Sequence, residues 1–270
     1  MKTTAASFIS IMIISLLMSC SPVAEKKAES DFQRVESLVT SHELSNAMQL
    51  LDSMMVWNKD NYGVVGKALK RKNAIALDYH KGVIQMSGDR INVLDPQVMV
   101  LSKGFIFKPG EAGRPGSYEH KRQTVESSWN RTFLKIVLNE NGDAWMVSHY
   151  YGKEWIDHTS LRIYDDKNYI LTDTIGLGHE WNRKVEDLGD RWETVEFRDG
   201  SDAGALAFIH DNYRKSIKVK FTGKTFQYIV LENYDKEAIK NGWELAQVLK
   251  ERYGLRETIE LHQAELRKLQ

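Results

Sequence analysis

The spacing of apolar residues changes twice along this chain of 270 residues. Over residues 31–104 apolar side chains recur at every third or fourth position, which is the repeat of an amphipathic helix. Over residues 132–232 the repeat shortens to two, as in a strand with one buried face, and over residues 233–270 the helical repeat returns. The order of these repeats predicts an α+β fold, with helices at both ends and strands between them.

The N-terminal helical region, residues 31–104, contains the interruptions expected between separate helices. The segment from Ser41 to Glu43 breaks the apolar spacing, which then resumes. Later in the region Pro96 lacks an amide hydrogen, and we expect it to kink the helix or to begin a new one. Gly104 is well placed to end the last helix. The region therefore predicts several helices.

Residues 132–232 predict an antiparallel β domain. Ile217, Val219 and Phe221 alternate with polar residues, which makes this segment the clearest half-buried strand. About six or seven short strands follow one another, most of them joined by tight turns, and one short helix at residues 203–210 interrupts the series. Such a series is typical of an antiparallel β-sandwich or of an open barrel.

Two further segments connect and close the predicted fold. Residues 105–131 are predicted to be a linker, because residues 108–116 contain two prolines and three glycines. Residues 233–270 carry apolar side chains at alternating steps of three and four, the spacing of a long helix with one apolar seam. Arg252 and His262 interrupt that seam, which disfavours an isolated coiled coil. We expect this helix to pack back on the N-terminal helices.

The first 20 residues have the order of a secretory signal. Lys2 is followed by a short apolar core and then by small residues that end at Cys20, the only cysteine. This order resembles the lipobox of bacterial lipoproteins, in which the cysteine is acylated and becomes the first mature residue. The resemblance implies that residues 1–19 are a removed signal peptide and that Cys20 is the lipid attachment site. Residues 20–30, which are small and charged, then predict a tether between the lipid and the fold.

Two alternatives to a lipoprotein signal fit the first 20 residues less well. A single transmembrane anchor needs about 20 consecutive apolar residues, and this run is shorter and broken by serines. A plain signal cut before a free thiol would leave an unpaired cysteine in an exported protein. We therefore expect a protein of the bacterial cell envelope that lipid alone holds to a membrane.

Charge and cysteine content limit the classes of partner and chemistry. The chain carries 37 basic and 37 acidic side chains, a balance that provides no electrostatic basis for binding nucleic acid. Acylation of Cys20 would leave no thiol, which would exclude disulfides, thiolate catalysis and cysteine-ligated zinc. Packing must then supply the stability of the fold.

Several segments resemble one known family. They are residues 103–107, 139–143, 148–159, 207–212 and 235–239. The chain is similar in them to predicted lipoproteins of Bacteroides-type bacteria, which have N-terminal helices, a β domain and a C-terminal helix. The family has no established activity, so the resemblance implies an architecture and an envelope location without a mechanism. In such bacteria, export of a lipoprotein to the cell surface is associated with acidic residues just after the cysteine. Here the first residues after Cys20 include only one acidic residue, Glu25, which favours the periplasmic face.

The β region contains no recognised catalytic motif. No serine lies in a Gly-x-Ser-x-Gly elbow, and no histidine pair has the spacing of a zinc helix. His149, Asp157, His158 and His179 are the only cluster worth weighing as an acid–base or metal site. His149 shares the predicted strand face of Val147, which favours a packed and hydrogen-bonded histidine. We predict no metal and no cofactor.

Two functional interpretations remain open. Residues 150–158 form the most aromatic turn region, and we predict that Tyr150, Trp155 and His158 contribute to a recognition surface. The alternative is that Trp155 merely closes one end of the core. The preferred function is non-enzymatic binding or scaffolding, with a protein or glycan partner on the β domain. The other is an envelope hydrolase that uses carboxylates or histidines, for which a deep polar pocket would be evidence, whereas an open aromatic shelf would favour binding.

Overall fold

The computed structural model describes residues 22–111 and 113–269. The predicted signal at residues 1–19 and the predicted acylation site, Cys20, lie outside the described residues. Within the described part of the chain, no helix is both long enough and apolar enough to cross a membrane.

The described chain divides into two compact units. The first comprises residues 22–84 together with residues 261–269, and the second comprises residues 85–260. Two long helices, α3 (Tyr62–Leu101) and α6 (Asn233–Lys268), each supply residues to both units.

The first unit is built from helices. Besides its parts of α3 and α6, it contains α1 (Pro22–Thr40) and α2 (Leu44–Trp57). Its core is formed by the buried apolar side chains of Val35, Ala47, Leu51, Met54, Ala68 and Ile75. His80 of α3 contacts His262 of α6, with the two Nδ1 atoms 2.7 Å apart. The C-terminal helix therefore packs on an N-terminal helix, as predicted.

The predicted tether at residues 20–30 is wrong for its described part, because α1 begins at Pro22. Alanine, glutamate and lysine dominate this stretch and have high helix propensity, and proline is well tolerated in a first helical turn. Ala28 is buried, so the helix has a packed position although the segment shows no apolar period.

The second unit contains ten strands in two antiparallel sheets. In chain order the strands are β1 (Phe105–Lys108), β2 (Ser117–His120), β3 (Phe133–Asn139), β4 (Ala144–Gly152), β5 (Ser160–Tyr164), β6 (Tyr169–Leu171), β7 (Asn182–Asp187), β8 (Asp190–Phe197), β9 (Lys218–Thr222) and β10 (Phe226–Val230). The six-stranded sheet has the order β1-β2-β3-β4-β8-β7, and the four-stranded sheet has the order β10-β9-β5-β6.

The two sheets face each other across one apolar core, which makes this part of the chain a β-sandwich. The core includes Leu134, Ile136, Met146, Val195 and Phe197 from the six-stranded sheet and Leu161, Ile163, Val219 and Phe221 from the four-stranded sheet. A helix, α5 (Ala205–Asn212), interrupts the strands as predicted and buries Leu206 and Ile209 in the same core. The predicted α+β class and the antiparallel sandwich are confirmed.

The predicted linker at residues 105–131 is wrong, because it forms β1, β2 and a short helix, α4 (Val125–Ser128). The proline- and glycine-rich stretch only connects β1 to β2, which pair with each other. Strand β2 also pairs with β3, so this hairpin extends the six-stranded sheet by two strands. Proline and glycine are common both in turns within a sheet and in linkers between domains, so these residues alone do not distinguish the two.

Helix α6 packs against the six-stranded sheet and the end of α3 within the second unit. This contact buries Val98, Phe105, Leu138, Leu245, Ala246 and Leu249. Gly242 lies so close to the sheet that a Cβ atom there would be 2.5 Å from Ile136 Cγ2. Arg252, predicted on the apolar seam, donates to Asp95 of α3 at 3.1 Å, and α3 runs through Pro96 as one helix.

We predict that replacing Gly242 by alanine destabilises the protein, although alanine is the better helix former. The added Cβ would lie closer to Ile136 than carbon atoms can approach, and such overpacking costs about 1–3 kcal/mol. Gly254→Ala, in the same helix, is the matched control. Its Cβ would meet no neighbouring atom within 4 Å, so alanine should raise the free energy of unfolding by up to about 1 kcal/mol. Urea denaturation measures both, and equal stabilisation of the two variants would contradict the close helix–sheet contact.

Candidate functional site

Three polar side chains meet inside the sandwich. Ser148 lies on the inward face of β4, Glu193 on the inward face of β8, and His158 in the connection from β4 to β5. Ser148 Oγ lies 2.8 Å from His158 Nε2, and His158 Nδ1 lies 2.8 Å from Glu193 Oε2. All three are fully buried. We refer to Ser148, His158 and Glu193 as the buried triad.

The Glu193 carboxylate is held as an anion by four donors. Besides the His158 ring, the backbone N–H groups of Ile156, Asp157 and His158 donate to it at 2.8–2.9 Å. Burial raises the pKa of Glu193, but the hydrogen bonds from His158 and the backbone outweigh it and hold the pKa below its usual range. An ionised carboxylate can only accept, so a neutral His158 has its proton on Nδ1, and Nε2 accepts from the Ser148 hydroxyl.

The buried triad has the order of a nucleophile, a base and an orienting carboxylate, at distances found in serine hydrolases. Hydrolysis would also require a route for substrate to the Ser148 Oγ, and no part of that side chain is exposed. The His158 ring packs on Phe221 with centroids 5.2 Å apart, and Asn182 Nδ2 donates to the His158 carbonyl oxygen at 3.2 Å. In this closed arrangement the triad links β4, β8 and the connection from β4 to β5.

Two members of the triad, Ser148 and Glu193, are not among the site residues predicted from the sequence. Both occupy inward positions in the alternation of their strands. Ser148 lies between Met146 and Tyr150, which point into the core. A polar residue at an inward strand position is the signal that would have found them, because a buried polar group requires a hydrogen-bond partner.

The predicted recognition surface of Tyr150, Trp155 and His158 is wrong for two of its residues. Tyr150 is buried in the core and donates from its hydroxyl to the Glu154 carbonyl oxygen at 2.9 Å. His158 is inaccessible to solvent because it belongs to residues 153–159, which connect one sheet to the other. Trp155 is half-buried, with the amine of Lys184 4.7 Å from its ring centroid.

The histidines and aspartate weighed as one acid–base or metal cluster do not form one site. His149 lies on the outer face of the six-stranded sheet, whereas His158 lies in the core. Asp157 pairs with Lys184, and His179 is exposed with its ring against Trp181. Over residues 22–111 and 113–269, no group of three or more His, Cys, Asp or Glu side chains is placed to hold a metal ion.

A groove lies on the outer face of the six-stranded sheet and has a volume of about 260 Å³. Its floor consists of outward side chains of four neighbouring strands: Phe133, Lys135, Val137, Trp145, Val147, His149, Arg183, Thr194 and Glu196. One wall is formed by Gln123, Thr124, Ser128 and Trp129, and Arg198 lies at the other side. The groove is partly open to solvent and presents aromatic rings beside charged groups. We call it the outer groove.

The aromatic wall of the outer groove is fixed in place by hydrogen bonds. Trp129 stacks on Trp192 with ring centroids 5.1 Å apart. Its carbonyl oxygen accepts from Trp192 Nε1 at 3.1 Å and from His149 Nε2 at 2.9 Å. His149 Nδ1 lies 3.2 Å from Thr194 Oγ1 and accepts from that hydroxyl, since Nε2 carries the proton. Burial lowers the pKa of His149 to about 4, so this packed histidine is neutral near pH 7.

Cations at the outer groove are arranged around carboxylates. Arg198 lies 4.0 Å from the ring centroid of Trp145, and both Arg198 and Arg183 bind Glu196. On the same face, Glu119 binds Lys135 at 2.7 Å and Lys108 at 2.6 Å. Each of these two carboxylates therefore binds two cations.

Gln123 supplies an unused hydrogen-bond acceptor beside the outer groove. The side chain is almost fully buried, and its Nε2 donates to the Leu134 carbonyl oxygen at 3.0 Å and to Asp235 Oδ1 at 2.7 Å. Its Oε1 has no hydrogen-bond partner among the described residues. A buried acceptor without a partner costs about 1–3 kcal/mol.

Compared with models of protein families, with curated proteins and with solved structures, the chain has no match. The function of its sites is therefore inferred from their own geometry.

We predict that His149 makes the protein less stable as the pH falls from about 6.5 towards about 4. Its pKa in the folded state lies below that of an unfolded histidine, so the unfolded chain takes up the proton first. The loss attributable to this residue is about 3 kcal/mol. Urea denaturation at several pH values, compared with His149→Gln, measures it as the pH-dependent difference between the two proteins. Curves that stay parallel over this pH range would show that His149 is not the titrating group.

Proposed function

We propose that this chain is a lipid-anchored protein of the bacterial cell envelope with a non-enzymatic binding role, and that the outer groove holds part of a protein or glycan partner. The location is supported by the order of charged, apolar and small residues before Cys20 and by the resemblance to predicted lipoproteins. The scarcity of acidic residues directly after Cys20 favours the periplasmic face of the membrane.

The outer groove is the observation that carries the binding role. Ligand pockets for whole small molecules have volumes of about 300–1,000 Å³. At about 260 Å³ the outer groove suits a smaller group, such as one sugar ring or one side chain of a partner. Trp129 and Trp145 offer ring surface, and Arg198 offers charge-assisted donors.

Hydrolysis is the second candidate function, and the order of side chains in the buried triad favours it. The same triad is sealed inside the sandwich, whereas the outer groove is accessible without any movement. The groove in turn contains a neutral His149 that is fully engaged by Trp129 and Thr194. Binding is therefore the better supported function.

We predict that Cys20→Ser converts the membrane-bound protein into one that no longer sediments with membranes after a salt wash. The substitution removes the thiol that would carry the acyl chains, and two chains are enough for durable anchoring. Fractionation followed by immunodetection measures the distribution, with Ser30→Ala as the control that keeps the anchor. Complete sedimentation of Cys20→Ser would refute the lipid anchor.

We predict that a photo-crosslinking residue at Val137, inside the outer groove, captures a discrete partner in intact cells. The same photo-crosslinking residue at Leu188 should not capture this partner. Leu188 is 96% exposed, but it lies on the turn between β7 and β8 and does not line the groove. Adding Arg198→Gln to the Val137 variant should weaken the crosslinked band, since it removes the charged group beside Trp145. The same adducts at both positions, or adducts unaffected by Arg198→Gln, would show that the groove is not the binding site.

A further inference from the structure

The outer face of the four-stranded sheet combines exposed rings with cations. Its central strands, β9 and β5, present Lys218, Lys220 and Arg162, and its outer strands, β10 and β6, present aromatic and aliphatic side chains. We call the following residues the cationic face: Arg162, Tyr164, Tyr169, Lys218, Lys220, Phe226 and Tyr228. Phe226 is 58% exposed, Tyr169 56% and Tyr228 49%, which is far more than packing aromatics require.

Two like charges lie directly opposite each other at the centre of the cationic face. Arg162 of β5 and Lys220 of β9 are register partners in adjacent strands, an arrangement that destabilises a sheet. Neither makes a salt bridge to a carboxylate of the described residues. Lys218 meets only Asp166, at 3.6 Å, and that aspartate is 88% exposed on a turn. The cationic face therefore lacks the anions that its charges require.

The outer face of the six-stranded sheet shows how this fold otherwise neutralises clustered cations. There Glu119 lies between Lys108 and Lys135, and a second carboxylate serves two arginines in the same way. No carboxylate occupies the corresponding place among the described residues of the cationic face. An anion from outside the chain would remove the repulsion between Arg162 and Lys220.

The exposed rings lie close to the two cations. The Lys220 amine lies 4.8 Å from the ring centroid of Phe226 and 5.7 Å from that of Tyr228. The Arg162 guanidinium lies 4.4 Å from the ring centroid of Tyr169. Rings that are already positioned can stack on another planar or cyclic group at a low cost in conformational entropy.

We propose that the cationic face binds an acidic polysaccharide. Carboxylates along the sugar chain would lie at Arg162 and Lys220, and sugar rings would stack on Phe226, Tyr228 and Tyr169. An extended chain suits the face because the rings of β10 and β6 lie on either side of the central cations. A polysaccharide is preferred over nucleic acid because of the proposed envelope location, so this choice of ligand rests on the proposed function.

Binding of the full chain, purified in detergent, to immobilised polygalacturonate tests this proposal. Arg162→Ala/Lys220→Ala is expected to bind polygalacturonate at least about tenfold more weakly than the wild type does. Lys67→Ala/Lys70→Ala removes two exposed lysines from α3 and is expected to bind like the wild type. Tyr228→Ala should also weaken binding, and neutral dextran should not bind. Unchanged melting temperatures establish that the variants are folded.

Three results would overturn the proposal. The first is no binding of polygalacturonate by the wild type, and the second is an equal loss in both double variants, which would indicate a general charge effect. The third is binding of phosphatidylglycerol vesicles or single-stranded oligothymidylate, lost in Arg162→Ala/Lys220→Ala, without binding of polygalacturonate. The assay uses purified protein, so a wrong envelope location would appear separately, in the fractionation of Cys20→Ser.

Discussion

The Glu193 carboxylate stabilises the segment through which the chain passes from one sheet to the other. Four donors from residues 156–158 converge on it, and the same connection leads into the four-stranded sheet. Asp157 takes a positive φ of 56° there, a conformation that non-glycine residues adopt at a cost. The anion stabilises that conformation because three consecutive N–H groups point to one acceptor. The core, the outer groove and the cationic face all depend on this link between the two layers.

The alternation of side chains gives the two outer faces different electrostatic characters. On the six-stranded sheet the cations are already bound by Glu119 and Glu196, so they are ordered before any ligand arrives. On the four-stranded sheet Arg162 and Lys220 are held only by aromatic rings. Binding at the first face would depend mainly on shape and hydrogen bonds. Binding at the second would weaken steeply with added salt, because exposed charges are screened over about 10 Å at 0.1 M.

Local patterns in the sequence predicted the helices and most strands, because burial on one face imposes a period that is visible in any short window. Ile217, Val219 and Phe221 illustrate this, since all three are fully buried. The sites were not predictable in this way. Ser148 and Glu193 are distant in sequence, and Gln123 meets an aspartate 112 residues away. The turn near Gly152 was recognised, but its sequence does not reveal that the chain then crosses between two sheets.

The first compact unit is assembled from two segments that are far apart in the sequence, residues 22–84 and 261–269. Its contact between His80 and His262 joins residues 182 positions apart, with the whole β-sandwich encoded between them. During synthesis from the amino end, this contact cannot form until His262 has appeared. The entropic cost of closing so long a loop is smaller when the intervening residues have already folded. The contact between His80 and His262 is therefore closed at a lower entropic cost once the sandwich has folded.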